Sequence, residues 1–206
     1  MFIANFSEYT ELLIEHLLEY KFNHWDIEIR ELTSKALHNL TSCCPKYMST
    51  KILTKLLKLC LHFDLNTRHG AVLATSEIIH AICDHIYNNE EIKQMKSEYF
   101  NNELINSLTN LINQVRFLFI LFLFSLLFVR FKFQEQNYLR GLGGEIMRPA
   151  LSLFIKKLSV SNVFDSVDDR FMETCVKFLN ECFEFYKEDV QVSHGQVFIM
   201  IYIYIF

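Results

Sequence analysis

Apolar positions along the first half of the chain recur in steps of three and four. Ile52, Leu53, Leu56, Leu57 and Cys60 trace one such series, and Val72, Thr75, Ile79, Ile82 and Ile86 trace another. That spacing keeps side chains on one face of a 3.6-residue helix, so the pattern predicts two amphipathic helices joined by a short turn. A similar pair is predicted upstream, its first helix running from about Ser7 to Tyr20. The first helix of the second pair is placed from Ser49 to His62, with Ser7 and Ser49 as N-caps and Pro45 closing the first pair.

The two pairs are copies of one unit. Asp26, Arg30, Ala36 and Leu40 return 38 residues later as Asp64, Arg68, Ala74 and Ile78, and Ile14 and Leu18 return as Ile52 and Leu56. A helix pair cannot hide its apolar face alone, whereas stacked pairs bury a continuous core. The expected fold is therefore all-α: a HEAT/armadillo-type α-solenoid of antiparallel helix pairs, its period just under the roughly 40–47 residues of those repeats. The expected units are 7–45, 47–88 and 90–160, the third interrupted by an apolar insertion at 115–134. A helix at 169–187 would begin a fourth, shortened unit, and an apolar tail covers 197–206.

Asp26 and Asp64 fall at predicted helix starts, where a carboxylate accepts backbone N–H bonds and meets the positive end of the helix dipole. Arg30 and Arg68, four residues on, are expected to pair back with them and tie neighbouring repeats together. Gly70 reads as a point of close packing. Trp25, the only tryptophan, is expected either to plug the corner between two helices or to stand on the surface as a binding anchor.

Composition narrows the function. Twenty basic against 24 acidic residues leave a formal net charge of −4, which offers no positive field for nucleic acid. Glycine and proline number five and two, too few for the turns of a sandwich or barrel. The six cysteines form no CxxC pair and read as reduced residues of a cytosolic protein. No basic, apolar leader opens the chain, so no secretory signal is expected.

A search for catalytic chemistry yields little. His80, Cys83 and His85 do not share a helical face in a zinc geometry, and no cysteine has surroundings that would activate it. Gly141-Leu142-Gly143-Gly144 lacks the preceding strand and the following Lys-Ser/Thr of a phosphate loop. Close backbone approach or a kink is the better account of these glycines. Arg140 and Arg148 flank this element and suit carboxylates on a partner. The expectation is a binding protein with no catalytic residues, metal or cofactor.

Beyond spacing, the text of the chain resembles a known family. Lys21-Phe22-Asn23-His24-Trp25-Asp26, Arg30-Glu31-Leu32, Lys35-Ala36-Leu37-His38-Asn39-Leu40, Asp64-Leu65-Asn66-Thr67-Arg68-His69-Gly70 and Tyr138-Leu139-Arg140-Gly141-Leu142-Gly143-Gly144-Glu145 with Met147-Arg148 are similar, in this order, to the C-terminal half of tubulin-folding cofactor D. The resemblance covers about residues 21–161 apart from the insertion. It implies a fragment of a HEAT-repeat chaperone that captures β-tubulin and works with a sister cofactor and an Arf-like small GTPase, carrying GTPase activator activity. Assembly or disassembly of the α/β-tubulin heterodimer, in a cytoplasmic and microtubule-associated setting, is implied with it. On that reading Arg68, His69, Arg140, Arg148 and Trp25 are the candidate partner-binding residues. Asp26, Arg30, Asp64, Gly70, Gly141, Gly143 and Gly144 hold the repeats.

Two segments break the pattern. Phe117 to Val129 is a run of 13 uncharged residues, short of the roughly 20 that a spanning helix needs and bracketed by Arg116, Arg130 and Lys132. An anchor inserted through this Phe-rich run is the alternative reading of the protein. Gln114-Val115-Arg116 can be encoded by an exon end running into an intron start, and the same Gln-Val junction returns at Gln196-Val197. Translated intron is thus the expected origin of both 115–134 and the tail, and cDNA sequenced across the junctions checks it. As protein, both stretches are aggregation-prone.

Overall fold

The computed structural model describes residues 6–87 and 141–160, together with residues 99, 104, 106–108, 110, 111, 173 and 176. Helix α1 spans Ser7–Tyr20 and α2 spans Ile27–Thr41. A third helical rod begins as α3 (Pro45–Tyr47), widens into a π turn at Met48–Ile52 and continues as α4 (Leu53–Leu59). The long α5 (Leu65–Tyr87) follows, and α6 covers Gly141–Val160. Among the described residues every element is helical.

The helix starts differ from expectation in two places. Pro45 opens the third rod instead of closing the preceding pair, because at the first helical position its missing N–H costs nothing and its fixed φ suits the turn. Ser49 therefore lies inside the helix, where its hydroxyl donates to the Lys46 carbonyl at 3.1 Å. Ser7 is the first helical residue of α1; the cap position belongs to Phe6, whose side chain makes no capping bond.

The aspartate starts are capped. Asp26 Oδ1 accepts from the Glu28 amide at 2.9 Å, and Asp64 Oδ2 accepts from both the amide and the hydroxyl of Thr67, at 2.8 and 2.7 Å. The Thr67 hydroxyl and amide hold the Asp64 carboxyl below the usual carboxylate range, as expected when hydrogen bonds favour the charged form.

Helix α5 is the centre of the fold, packed against α2, α4 and α6. The sequence pattern marks one apolar face on it, yet every residue from Thr67 to Ile79 is buried. Neighbours on several sides require small or apolar residues around the whole circumference, and Gly70, Ala71, Ala74, Thr75, Ser76 and Ala81 supply them. The core continues through Ile14, Leu18 and Phe22 of the first unit, Leu56 and Cys60 of the second, and Met147, Phe154, Ile155 and Leu158 of α6.

The expected insertion at 115–134 and tail at 197–206 lie outside the described residues, as do most of the expected helix at 169–187 and of the expected third unit, Arg140 and the side chain of Arg148. Gly141, Gly143 and Gly144 open α6.

Candidate functional site

Two corners of the chain, 38 residues apart, are built alike. In the first, Arg30 Nη1 donates to the carbonyl of His24 and, at 3.0 Å, to that of Trp25. In the second, Arg68 Nη1 donates to the carbonyls of His62 and Phe63 at 2.7 and 3.2 Å. His24 Nδ1 accepts from the Asp26 amide at 3.1 Å, and His62 Nδ1 accepts from the Asp64 amide at the same distance. In both corners the imidazole lies beside an aromatic ring: His24 with Trp25 at 5.4 Å and His62 with Phe63 at 4.3 Å between centroids.

Each arginine thus binds the orphan carbonyls of the inter-helix turn that precedes it. This satisfies part-buried acceptors with charge-assisted bonds. His24 and His62 belong to the same device, which the comparison of Asp and Arg positions missed. Matching residues upstream of Asp26 at the 38-residue offset reveals them.

Arg30 and His69 then connect the corners. Arg30 is 1% exposed; its Nε donates to His69 Nδ1 at 3.0 Å and its Nη1 to Asn66 Oδ1 at 3.0 Å. Burial, reinforced by the Arg30 charge, pushes the His69 imidazole down to about 4, so it is neutral at pH 7 and free to accept this bond. Arg68 and His69 are each 4% exposed, so neither presents a contact surface; both are parts of the interior, in correction of the partner-binding expectation.

Gly70 follows in the same turn of α5. A Cβ at this position would lie 1.8 Å from the carbonyl oxygen of Phe22 and 2.8 Å from its carbon. The absent side chain is what lets α5 pass against the first corner.

Trp25 does not plug the corner. It is 77% exposed, and its repeat equivalent Phe63 is 70% exposed. The two exposed aromatics stand at positions 38 residues apart, and Tyr20, Ile27 and Leu32 are exposed as well. Surface aromatics of this kind supply contact area at low entropic cost.

A second polar cluster joins three helices. Glu77 of α5 is largely buried, and its Oε2 lies 2.8 Å from Lys157 Nζ of α6 and 3.1 Å from His38 Nδ1 of α2. The same His38 nitrogen is 3.1 Å from the Glu77 carbonyl oxygen. Burial alone would raise the Glu77 carboxyl, but the bonds from His38 and Lys157 outweigh it and hold it at about 2. The hydrogen bond to Glu77 in turn raises His38. His80, one turn along α5, has its ring 5.4 Å from that of His38 and its Nδ1 3.5 Å from Asp84 Oδ2. His38, His80 and Asp84 each offer one ligand atom, and these lie within 4.8 Å of one another.

Two of the described thiols, Cys44 and Cys60, carry no sign of activation. Burial pushes Cys60 up to about 12 and Cys44 up to about 11, which keeps both protonated at neutral pH. Among the described residues no helix is long and apolar enough to cross a membrane.

No family model matches the chain, and no solved structure matches it significantly. Over 79 residues the chain is 37% identical to tubulin-specific chaperone D from Dictyostelium discoideum. That match takes in 38% of this chain and 5% of the length of the relative. The chain is therefore similar, over part of its length, to a small part of a tubulin chaperone.

Proposed function

We propose that this chain is a protein-binding scaffold of stacked helix pairs, a piece of an α-solenoid that handles tubulin. The observation that carries the reading is the 37% identity over 79 residues to a tubulin-specific chaperone. The equivalent corners around Arg30 and Arg68 support a repeated unit, and repeated units extend into elongated binding surfaces. Exposed Trp25 and Phe63 offer apolar anchors, and Arg140 and Arg148 offer bidentate partners for carboxylates.

The proposed partner is β-tubulin, with a sister cofactor and an Arf-like small GTPase as further members of the assembly. The proposed work is binding, in capture of the subunit and in assembly or disassembly of the α/β heterodimer, with GTPase activation belonging to the whole assembly. The proposed setting is the cytoplasm, in association with microtubules.

The test is capture of purified α/β-tubulin by the full chain, compared with a Trp25→Ala/Phe63→Ala double variant. Retention of tubulin by the unmodified chain, weakened about tenfold or more in the variant, is expected from the loss of two aromatic anchors of about 2 kcal/mol each or less. Absence of capture by the unmodified chain sinks the tubulin reading. Equal capture by both forms removes these two aromatics from it.

A further inference from the structure

The cluster formed by His38, His80 and Asp84 is absent from the scaffold reading and has the chemistry of a metal site. We propose that these three residues bind a zinc ion that links α2 to α5, with the fourth coordination position open to solvent. Two imidazoles and one carboxylate around an open position form a donor set that zinc uses.

Four observations support it. The first is placement: His80 and Asp84 stand four residues apart on one face of α5, and His38 faces them from α2, so the ligands come from two helices whose packing fixes their separation. The second is an unsatisfied atom. His80 Nδ1 is shielded from solvent and has no hydrogen-bond partner, although Asp84 Oδ2 lies 3.5 Å away; a buried nitrogen left this way is costly unless something binds it.

The third is orientation. Glu77 engages His38 through Nδ1, at both its carboxylate and its carbonyl, which leaves Nε2 for a metal. A carboxylate holding the far side of a ligating imidazole fixes ring position and raises ligand basicity. The fourth is access and charge. Side-chain exposures of 28%, 23% and 53% for His38, His80 and Asp84 give an ion a path from solvent. Lys157 is held by Glu77 at 2.8 Å, and Asp84 brings a carboxylate to the cluster.

The geometry is close to what an ion needs. Ligand atoms of a tetrahedral zinc site with bonds near 2.0–2.2 Å sit about 3.4 Å apart. From separations of up to 4.8 Å, closure takes shifts of about 1 Å, within reach of the exposed Asp84 side chain.

The test uses the full chain in equilibrium dialysis against Zn²⁺ and, separately, the visible spectrum with Co²⁺ in its place. One equivalent of zinc is expected, with a Co²⁺ d–d band of tetrahedral intensity. Asp84→Asn and His80→Gln are each expected to weaken zinc binding about tenfold or more and to abolish that band, with helicity by circular dichroism unchanged. Absence of stoichiometric zinc binding at micromolar concentrations overturns the proposal. So does retention of binding in both variants, or an intense near-ultraviolet Co²⁺–thiolate band, which would assign the ion to cysteines. The result is independent of tubulin capture, so failure of either reading leaves the other standing.

Discussion

Arg30 reaches out of the first helical unit to His69 of the second, its Nε donating to the imidazole Nδ1 at 3.0 Å. The two residues are 39 apart in the chain, and both are buried. The bond requires a neutral imidazole and a charged guanidinium, a pairing that burial enforces by favouring the uncharged histidine while arginine stays protonated.

Removing the arginine strands the carbonyls of His24 and Trp25 as well as His69. Arg30→Ala is expected to destabilise the fold by about 3 kcal/mol, since each hydrogen bond to a charged group contributes on the order of 1.5–3 kcal/mol. Arg30→Lys keeps the charge but loses the planar fork that serves several acceptors at once, and should recover only part of the loss. Urea unfolding midpoints of the three forms measure both effects; equal stability of Arg30→Ala and the unmodified chain would contradict the corner as drawn.

Gly70→Ala places a methyl group against the Phe22 carbonyl, with main chain on both sides of the clash. Alanine is otherwise the better helix former by roughly 1 kcal/mol, so its intrinsic effect is stabilising. Overpacking against rigid backbone reverses the sign, and a net destabilisation of about 1–3 kcal/mol is expected. A raised melting temperature in this variant would mean that α5 does not press against the Phe22 carbonyl.

Stability should fall in mild acid through His69. Its folded value, about 4, lies below the ordinary value of 6.5. Between those values the unfolded chain binds a proton that the folded chain does not, so unfolding becomes easier as pH drops through this window. Glu77, held at about 2 against an ordinary 4.5, adds in the same direction below pH 4.5. His38, raised by Glu77, acts oppositely: its contribution is present below the unfolded value and lost as pH rises through the folded one. His69→Gln, which keeps an acceptor for Arg30 but cannot titrate, isolates the first effect. Its unfolding free energy should vary less between pH 6.5 and 4 than that of the unmodified chain, by up to about 3 kcal/mol across the window.

Glu77→Ala is expected to cost about 2–4 kcal/mol, because it leaves Lys157 and His38 without their common acceptor in a half-buried site. Lys157→Met, which removes one cation and keeps the apolar stem, should cost less. A double-mutant cycle between Glu77 and Lys157 reports their coupling, expected above 0.5 kcal/mol for groups in direct contact; a coupling of zero would remove this tie between α5 and α6.

Spacing alone marked the helices around Val72–Ile86 and Ile52–Cys60, the repeat of Asp26 and Arg30 at Asp64 and Arg68, and Gly70 as a position needing comment, because helical periodicity and turn chemistry are local properties of the chain. It could not tell which way a long side chain turns. Arg30 reads from sequence as a repeat-holding residue and Arg68 as a candidate partner contact, and tertiary packing turns both inward to the corner carbonyls. Trp25 illustrates the converse: a lone tryptophan invites burial, yet the corner is already filled by the arginine, so the indole is left outside. The Glu77 cluster needed three helices brought together from positions 38, 77 and 157, separations over which no periodic signal survives and where tertiary contact alone decides which charges meet.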